Sequence, residues 1–428
     1  MEKLDLKQVI IDQKGELKNL IKREKIIERE FLDIYKKYVR SDIIKVITGI
    51  RRCGKSIFSQ QLLSEQDFAY INFDDERLVA LETKDLNNIL EIFYEVYGEF
   101  KFVLLDEVQN IYGWELFVNR LKRQGFNIII TGSNAKLLSK ELATHLTGRH
   151  VALELFPFSF REFLNYHGIS IKSLLTTRDI GLIKRKLNEY IKTGGFPETL
   201  KRSIIPKTYL QALYSTIISK DIVLRHRIKF IRTLKDIASY LITNHSSLMS
   251  FNKIKNIFNL KSIHTALNYV SFLEESYLFF FLKRLSFKQK ESLVANRKVY
   301  CLDTGLINAL SFKSSRDLGK LYENIVATEL LRKKAWQNNI DIYYWQDIYK
   351  YEVDFVIKQG LKIKQLIQVC YSIEDYETKK REIKALLRAG HELKCKNFLV
   401  ITEDKEDEET IENNKIRFMP LWKWLLEK

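Results

Sequence analysis

The fold of this chain is decided by residues 49–56, which read Gly49-Ile50-Arg51-Arg52-Cys53-Gly54-Lys55-Ser56 and match the pattern GxxxxGK[ST] in full. The β-branched run Ile43–Thr48 leads into this stretch, and the helical run Ile57–Leu63 follows it. Glycines in such a loop let successive backbone N–H groups face a phosphate, and the dipole of the next helix favours negative charge there. The sequence therefore predicts a phosphate-binding loop between a strand and a helix.

The residues of this loop are predicted to have separate tasks toward ATP. Lys55 reaches the β- and γ-phosphates, and the Ser56 hydroxyl ligates Mg²⁺. The rest of the loop lines the nucleotide and consists of Gly49, Ile50, Arg51, Arg52, Cys53 and Gly54. Arg51 and Arg52 face either phosphate or a neighbouring molecule, and the sequence leaves both alternatives open.

A second motif follows the apolar run Phe102–Leu105, which ends in Asp106 and Glu107. Asp106 fits the carboxylate that holds Mg²⁺ through water, and Glu107 fits the base that orients and polarises the attacking water. A strand that ends in two acids is common, and its meaning here depends on the phosphate loop beside it. Together the two motifs predict an ATPase with Mg²⁺ as its cofactor.

Two further polar residues are candidates for contact with the γ-phosphate. Asn134 follows the apolar run Ile128–Thr131, and we expect its side chain to touch the γ-phosphate and the attacking water. The alternative role of Asn134 is to cap the next helix, for which asparagine is a preferred residue. Arg149 precedes the run Val151–Phe156 and would bring positive charge to the γ-phosphate, in its own chain or in a neighbouring subunit.

Other classes of P-loop protein are disfavoured by what the chain lacks. No NKxD segment is present for reading guanine, and no LSGGQ segment is present as in transporter-type ATPases. Small-molecule kinases usually lack a glutamate directly after the aspartate that binds Mg²⁺. Hydrolysis of ATP is therefore the predicted reaction.

Charge and composition restrict the partners. The chain has 71 Lys+Arg against 54 Asp+Glu, a formal net charge of +17, which favours anionic partners such as nucleotides, nucleic acid or a membrane surface. The longest wholly apolar run, Tyr277–Leu282, is far shorter than the ~20 residues of a membrane helix. The four cysteines are widely spaced and predict neither a disulfide framework nor a zinc site. We expect a cytoplasmic protein with no membrane partner.

Hydrophobic patterning predicts an α/β fold in the first part of the chain. Five apolar runs alternate there with helical stretches, which is typical of a parallel sheet covered on both faces. Residues 15–40 are predicted to form one exposed amphipathic helix, and the acidic run Glu403–Glu409 a solvated loop. The predicted domains are an N-terminal helical segment (1–40), a P-loop ATPase domain with a helical extension (41–218), a winged-helix domain (219–300) and a C-terminal α/β domain (301–428).

The block 219–300 is the most basic part of the chain, with 15 Lys+Arg and 5 Asp+Glu. Three helical patterns, at Arg232–Thr243, Phe251–Phe258 and Ser262–Glu274, are followed by two apolar strands. This is the layout of a winged helix-turn-helix. Its recognition helix is predicted over Ser262–Glu274, and the residues offered for DNA contact are Lys261, His264, Thr265 and Asn268. The alternative is a packing module that contacts only protein.

These motifs together resemble a group of prokaryotic AAA-type ATPases with a C-terminal domain of nuclease-like fold. The resemblance covers residues from about 25 to 428. It is carried by ITGIRRCGKS (47–56), LLDEVQ (104–109), TGSN (131–134), LTGR (146–149), FPFSFREF (156–163), GGFPE (194–198), YCLDTGL (300–306), ENIV (323–326) and EVDFV (352–356). It implies an AAA-like ATPase core, a winged helix and a domain of restriction-endonuclease-like fold, and it implies that Arg149 is the arginine finger.

The nuclease-like domain lacks part of the chemistry that its fold would need. Nucleases of the PD-(D/E)xK class hold Mg²⁺ with a helix Glu, a strand Asp and a further acid, and use a lysine to stabilise the nucleophile. Glu323 and Asp354 match the first two positions, but Gln368 replaces the further acid and Cys370 the lysine. The next predicted helix offers Lys379 or Lys380 as a replacement. We predict a nuclease-like scaffold without nuclease activity.

Three hypotheses about function follow from the sequence. The first is an ATP-hydrolysing switch or motor whose nucleotide state gates the binding of DNA or a protein client. The second is a nucleotide-gated adaptor for protein partners with negligible turnover. The third, an ATP-dependent nuclease, is disfavoured by Gln368 and Cys370. The sequence leaves the oligomeric state open, although an essential Arg149 acting in a neighbouring subunit would require an assembly.

Overall fold

The computed structural model describes residues 2–133, 148–171, 174–286, 295–311, 317–337 and 339–427. The chain divides into two compact units, Met1–Phe158 and Ser159–Lys428. In the described residues, no helix is both long and apolar enough to span a lipid bilayer.

The first unit is built on a parallel sheet of five strands. These are β1 (Ile44–Thr48), β2 (Phe68–Asn72), β3 (Phe102–Asp106), β4 (Asn127–Gly132) and β5 (His150–Glu154). Their order across the sheet is β2-β3-β4-β1-β5, and every neighbouring pair is parallel. β1, β3 and β4 are buried along their whole length, as strands covered on both faces must be. The predicted α/β fold with a parallel-sheet core is confirmed.

Five helices accompany this sheet in the described residues of the first unit. They are Lys3–Arg23, Leu32–Val39, Lys55–Leu62, Leu86–Tyr97 and Trp114–Arg123, with short 3₁₀ turns at Glu76–Leu78, Thr83–Asp85 and Val108–Asn110.

The expected single exposed helix over residues 15–40 is wrong. The first helix begins at Lys3 and ends at Arg23, and Leu6, Val9 and Ile10 bury one of its faces in the core. The side chain of Gln13 donates to Asn72 O at 3.0 Å and accepts from Asn72 N at 2.9 Å, so this helix covers the open edge of β2. The apolar stripe starts before residue 15, which is why a window beginning there misplaced the helix.

The segment that follows the first helix lies beside the phosphate-binding loop. Arg29 is buried, donates to Cys53 O at 3.5 Å and also donates to Phe156 O. Its guanidinium group stacks over the ring of Phe158, 4.8 Å from the centroid. Two helices separated by an anchored connection therefore replace the predicted continuous one.

The second unit contains ten helices in its described residues. They are Phe160–Tyr166, Thr177–Thr193, Pro206–Thr216, Ile231–Thr243, Phe251–Ile257, Ile263–Glu275, Thr304–Leu310, Leu318–Trp336, Tyr376–Leu393 and Leu421–Leu426. A 3₁₀ turn lies at Pro197–Leu200, and a stretch of π-helix at Ile217–Leu224 continues the third of these helices.

A small antiparallel sheet accompanies three of these helices in the basic block. It consists of β6 (Ser247–Met249), β7 (Phe279–Leu282) and β8 (Arg297–Cys301) in the order β6-β8-β7. The helices predicted near residues 232–243, 251–258 and 262–274 are present within one residue of those bounds. The sequence did not predict β6, which is only three residues long.

A mixed sheet of six strands forms the last part of the second unit. Its strands are β9 (Ile340–Gln346), β10 (Glu352–Gln359), β11 (Lys362–Val369), β12 (Phe398–Thr402), β13 (Asp407–Ile411) and β14 (Asn414–Pro420). Their order is β13-β14-β12-β11-β10-β9, and the helix Tyr376–Leu393 connects the parallel neighbours β11 and β12. The prediction that the acidic run 403–409 forms a loop is partly wrong, because β13 begins at Asp407. Charged residues are common on such edge strands, where they discourage pairing with other chains.

Two sequence motifs of the second unit, GGFPE (194–198) and YCLDTGL (300–306), contact each other where the helix Thr177–Thr193 ends. The Asp303 carboxylate accepts a hydrogen bond from the backbone N–H of Gly195 at 2.7 Å. A Cβ on Gly305 would lie 2.3 Å from the carbonyl oxygen of Thr193. The helix Thr304–Leu310 therefore packs so closely here that no side chain fits at Gly305.

Replacing Gly305 with Ala is expected to lower the free energy of unfolding by about 1–3 kcal/mol, because the added methyl group overlaps a backbone carbonyl. Urea-induced unfolding followed by circular dichroism measures the change. The matched control is Gly181→Ala, since Gly181 lies inside the helix Thr177–Thr193 with no atom within 4 Å of an added Cβ. Helix propensity predicts a gain of about 0.5–1 kcal/mol for this control. Equal effects of the two substitutions would contradict close packing at Gly305.

Candidate active site

The predicted motifs meet at one edge of the parallel sheet. β4 lies between β1 and β3, and the three strands run in the same direction. The loop 49–56 follows β1, Asp106 ends β3, and Thr131 lies near the end of β4. Ligands of open parallel sheets bind at this carboxyl edge, so the fold places the candidate residues at a binding position.

The loop 49–56 depends on glycine where it leaves β1. Gly49 has a φ of +148°, and a Cβ there would lie 2.1 Å from the carbonyl oxygen of Leu155. Gly54, with a φ of +98°, directly precedes the helix Lys55–Leu62. The Cys53 thiol is buried and donates to Leu155 O at 3.4 Å, while the Ile50 side chain is also fully buried. Cys53 and Ile50 therefore direct their side chains into the protein interior.

The two arginines of the loop have different surroundings. Arg51 forms an ion pair with Asp74, with 3.1 Å between Nη1 and Oδ2. Arg52 is exposed and adopts a left-handed φ of +67°. Arg51 is thus anchored within its own chain, and Arg52 is accessible to a ligand or a neighbouring molecule.

Lys55 lies at the centre of the loop. Its Nζ donates to Gly49 O at 3.2 Å and to Ile50 O at 3.4 Å, and lies 3.3 Å from Glu107 Oε1. The residue is 4% exposed. Burial disfavours its charge, but the negative charges of Glu107 and Asp106, with its other neighbours, together outweigh burial and raise the pKa of Lys55. A charged ammonium group is therefore held where phosphate would bind.

Asp106 is held by hydroxyl groups from three elements. Ser56 Oγ donates to its Oδ2 at 2.6 Å, Tyr70 OH donates to the same oxygen at 3.4 Å, and Thr131 Oγ1 donates to Oδ1. Burial, together with the charge of Glu107, raises the pKa of Asp106 despite these bonds. The carboxylate is fixed in place against Ser56.

The pKa of Glu107 is shifted in the opposite direction from that of Asp106. Its Oε2 accepts from Gln109 Nε2 at 2.6 Å, and its backbone N–H donates to Thr131 Oγ1 at 3.0 Å. Burial alone would raise the pKa of Glu107, but Lys55 and the hydrogen bond from Gln109 outweigh it and lower the pKa. Glu107 also has a left-handed φ of +50°, a strained conformation for this residue type. The result is an ionised and positioned carboxylate, as a general base requires.

The donor set at this edge fits Mg²⁺. Ser56 Oγ and Asp106 Oδ2 are hard oxygen atoms only 2.6 Å apart. Mg²⁺ is usually bound by one or two protein oxygens together with water and substrate phosphates, rather than by a cage of side chains. The part of the chain that the structure describes contains no group of three or more His, Cys, Asp or Glu able to hold a metal.

The two candidates for contact with the γ-phosphate are not both placed at this edge. Asn134 lies outside the described residues, which stop at Ser133 before it. Arg149 lies at the opposite edge of the sheet, where its carbonyl oxygen accepts from the backbone N–H of Ile44 at 2.9 Å. Gly49 lies five residues after Ile44 along β1, a distance of ~17 Å at 3.3 Å per residue. Arg149 therefore lies at the opposite edge of the sheet from Lys55.

The nuclease-like positions are also only partly brought together. Glu323 and Asp354 both bind the same ammonium group, that of Lys298. Gln368 Nε2 donates to Glu382 Oε2 at 2.5 Å, and the Cys370 thiol donates to Ser372 O at 3.2 Å. The two replacement lysines are engaged elsewhere, Lys379 in an ion pair with Glu409 and Lys380 over the ring of Tyr376.

Sequence reasoning gave no role to three residues that hold the two acids, namely Tyr70, Gln109 and Thr131. Thr131 carried a signal, since it is a polar residue at the end of an apolar strand. Gln109 also carried one, because it follows Glu107 by two residues. Tyr70 carried none, since its contact with Asp106 depends on the pairing of β2 with β3.

Models of known families match three consecutive parts of the chain. A model described as an AAA domain, AAA_14, matches residues 41–164. Two domains of unknown function, DUF8612 and DUF4143, match residues 184–317 and 318–424. The α/β unit therefore contains an AAA-type P-loop ATPase domain, and nucleotide use is what that domain family implies.

Similar whole proteins occur in an archaeon and a bacterium. The uncharacterized protein MJ1544 of Methanocaldococcus jannaschii is 37% identical over 446 aligned positions, which cover 99% of this chain and 96% of that protein. An uncharacterized protein of Haemophilus influenzae is 31% identical over 379 positions, covering 84% of this chain and 88% of that protein. Among solved structures, the Walker-type ATPase paby2304 of Pyrococcus abyssi aligns with a TM-score of 0.44 at 16% identity, over 67% of this chain and 97% of that one.

Proposed function

Because the chain belongs to the family of the M. jannaschii protein MJ1544 and carries an AAA-type P-loop ATPase domain, we propose that it hydrolyses ATP with Mg²⁺. We further propose that this hydrolysis drives a switch that controls binding of a client. The switch acts through the basic C-terminal half of the chain. ATP and Mg²⁺ are the proposed substrate and cofactor.

One observation carries this proposal, the presence of two functional pairs at a single sheet edge. The hydroxyl of Ser56 contacts the carboxylate of Asp106 at 2.6 Å, which suits a metal held between loop and strand. Lys55 and Glu107 lie 3.3 Å apart beside them, which suits a phosphate next to a base. Phosphoryl transfer needs mainly positioning and charge, and these four residues supply both.

The proposed reaction gives each residue a defined task. Lys55 and the N–H groups of the loop stabilise negative charge on the phosphates as Lys55 moves from Glu107 to ATP. Glu107, held by Gln109, accepts the proton of the attacking water. When bound by Ser56 and Asp106, Mg²⁺ neutralises charge on the phosphate oxygens.

The test of this function is steady-state ATP turnover of the full chain with Mg²⁺, measured with and without DNA. Turnover that requires Mg²⁺ supports the proposal, and stimulation by DNA identifies nucleic acid as a client. ATP binding without turnover under any of these conditions would instead favour a nucleotide-gated adaptor for protein partners.

We propose that residues 219–300 form a winged-helix domain and that DNA is its partner. Support comes from the order of its helices around the sheet β6-β8-β7, and from its excess of ten positive charges. The helix Ile263–Glu275 would be the reading helix, with His264 and Thr265 in its first turn. DNA affinity must then fall with rising salt, because phosphate contacts release counterions.

We propose that residues 301–428 have a nuclease-like fold without nuclease activity. The mixed six-stranded sheet and the crossover helix Tyr376–Leu393 support the fold assignment. Gln368 and Cys370, with Lys379 engaged by Glu409, leave no lysine at the required position of the third motif. The remaining domain boundaries of the proposal are 1–40 for the N-terminal helical segment and 41–218 for the ATPase domain with its helical extension.

Replacing Arg149 with Ala is expected to lower ATP turnover about 10²-fold, as loss of one charge-stabilising group does in other enzymes. Since Arg149 lies at the far edge of its own sheet, we propose that it acts in a neighbouring subunit. Mixing Arg149→Ala protein with Lys55→Ala protein should then restore part of the activity, because each supplies what the other lacks. Arg149→Ala protein with wild-type turnover would contradict the finger role, and a mixture that stays inactive would contradict its action between subunits.

A further inference from the structure

Three carboxylates surround one buried ammonium group in the second unit. Nζ of Lys298 lies 2.9 Å from Glu323 Oε1, 2.7 Å from Glu352 Oε1 and 2.8 Å from Asp354 Oδ1. Lys298 is only 2% exposed, and Tyr300 OH adds a hydrogen bond to Glu323 Oε1 at 2.6 Å. Three carboxyl groups thus converge on a single point, and that point is a nitrogen atom. Burial raises the pKa of Glu323 to about 7.

The fold, and not local sequence, brings this cluster together. Lys298 lies on β8 of the small antiparallel sheet, and Glu323 on the helix Leu318–Trp336. Glu352 and Asp354 are two residues apart on β10, so their side chains share one face of the six-stranded sheet. The cluster therefore joins the two sheets of this unit and the helix between them in the chain.

The charge of Lys298 is strongly favoured at this position. Burial opposes an ammonium ion, but Asp354, Glu323 and the other acidic groups outweigh burial and place the pKa of Lys298 well above its usual value. Buried carboxylates without a cation would be very costly, so the cluster requires positive charge.

The oxygen atoms of the cluster are also engaged by other donors. Asp354 Oδ2 accepts from the backbone N–H of Val369 at 2.9 Å. Glu352 Oε2 accepts from Gln346 Nε2 at 3.1 Å. Both oxygens of Asp354 and both of Glu352 therefore have protein donors, which a bound metal ion would have to displace.

We propose that the ammonium group of Lys298 is the permanent cation of this cluster and takes the place that a divalent metal would occupy. The cluster then binds no metal in the wild-type chain. It works as an ion-pair centre that joins β8, the helix Leu318–Trp336 and β10. Removing the ammonium group, while keeping the carboxylates, turns the same residues into a site for a hard divalent cation, since Mg²⁺ and Mn²⁺ prefer oxygen ligands. This inference does not depend on the proposed ATPase activity.

The test uses the full chain without nucleotide and Mn²⁺ alone as the probe. Lys298→Met keeps the length of the side chain and removes its charge, and Lys298→Met/Asp354→Asn also removes one carboxylate. The matched control is Lys320→Met, because Lys320 Nζ donates to the neutral Ser247 Oγ at 2.8 Å. Titration calorimetry and thermal unfolding with and without Mn²⁺ are measured for wild type, for these three variants and for Asp354→Asn alone. Any Mn²⁺ bound at the phosphate loop is common to them and cancels in the comparison.

We expect Lys298→Met to bind one more Mn²⁺ than wild type, with the affinity of the cluster raised at least roughly 10²-fold, given the Coulomb energy of charges this close. Its melting temperature should fall without Mn²⁺ and recover with it, whereas the double variant and Lys320→Met should not respond. Mn²⁺ binding by wild type that is lost in Asp354→Asn would overturn the proposal. Folded Lys298→Met protein with wild-type Mn²⁺ affinity would overturn it as well.

The proposal can still be tested if Lys298→Met protein does not fold. Recovery of folding by Mn²⁺, or by the added Asp354→Asn substitution, supports the role of charge, because either change restores the balance of the cluster. Failure of both to restore folding would show that charge balance at the cluster is not what Lys298 supplies, and this would overturn the proposal.

Discussion

Replacing Glu107 with Gln is expected to lower kcat for ATP about 10³-fold, within the range that a positioned general base contributes. Glutamine has nearly the same shape but cannot accept the proton of water. ATP affinity should be unchanged or higher, because Lys55 no longer has to leave a carboxylate that lies 3.3 Å away. Single-turnover hydrolysis and equilibrium ATP binding, measured on the same protein, separate these two effects.

The control for this substitution is Glu99→Gln, which makes the same chemical change at an exposed position. Wild-type turnover is expected for it. If Glu107→Gln protein still turned over ATP at the wild-type rate, Glu107 would not be the base. A parallel loss of ATP binding would instead mean that the substitution had disturbed the loop.

Replacing Lys55 with Ala is expected to weaken ATP binding at least about 10²-fold, since charge-assisted hydrogen bonds to phosphate are among the strongest polar contacts in proteins. Turnover should fall below detection, because the same group stabilises charge on the transferred phosphate. Titration calorimetry with ATP and Mg²⁺ measures the affinity. A steady-state assay at high ATP concentration measures what turnover remains.

The exposed Lys101 provides the control, and Lys101→Ala is expected to bind and hydrolyse ATP as wild type does. Wild-type ATP affinity in Lys55→Ala protein would contradict the assignment of Lys55 to the phosphates. The two principal substitutions thus give different patterns: Glu107→Gln loses turnover and keeps binding, whereas Lys55→Ala loses both.

Local sequence was enough to predict where the loop and the two acids lie relative to the strands. Gly49 and Gly54 need backbone conformations that few other residues adopt, and a β-branched run before them leaves little choice of fold. Asp106 and Glu107 end a fully buried strand, so they had to lie at an edge of the sheet.

Local sequence did not predict contacts between segments that are far apart in the chain. The order β2-β3-β4-β1-β5 decides that Thr131 and Tyr70 meet Asp106, and strand order is set by pairing over long separations. The position of Arg149 illustrates the same limit, because its side of the sheet is known only once β5 is paired with β1. Lys298 is the extreme case, since its three partners lie 25 or more residues away in sequence.

The ion pairs of Lys298 also affect the thermal unfolding of the second unit. A polypeptide that began at residue 301 would keep Glu323, Glu352 and Asp354 but lose their cation, leaving acidic groups buried without compensation. The helices and strands before and after that point should therefore unfold in a single cooperative transition.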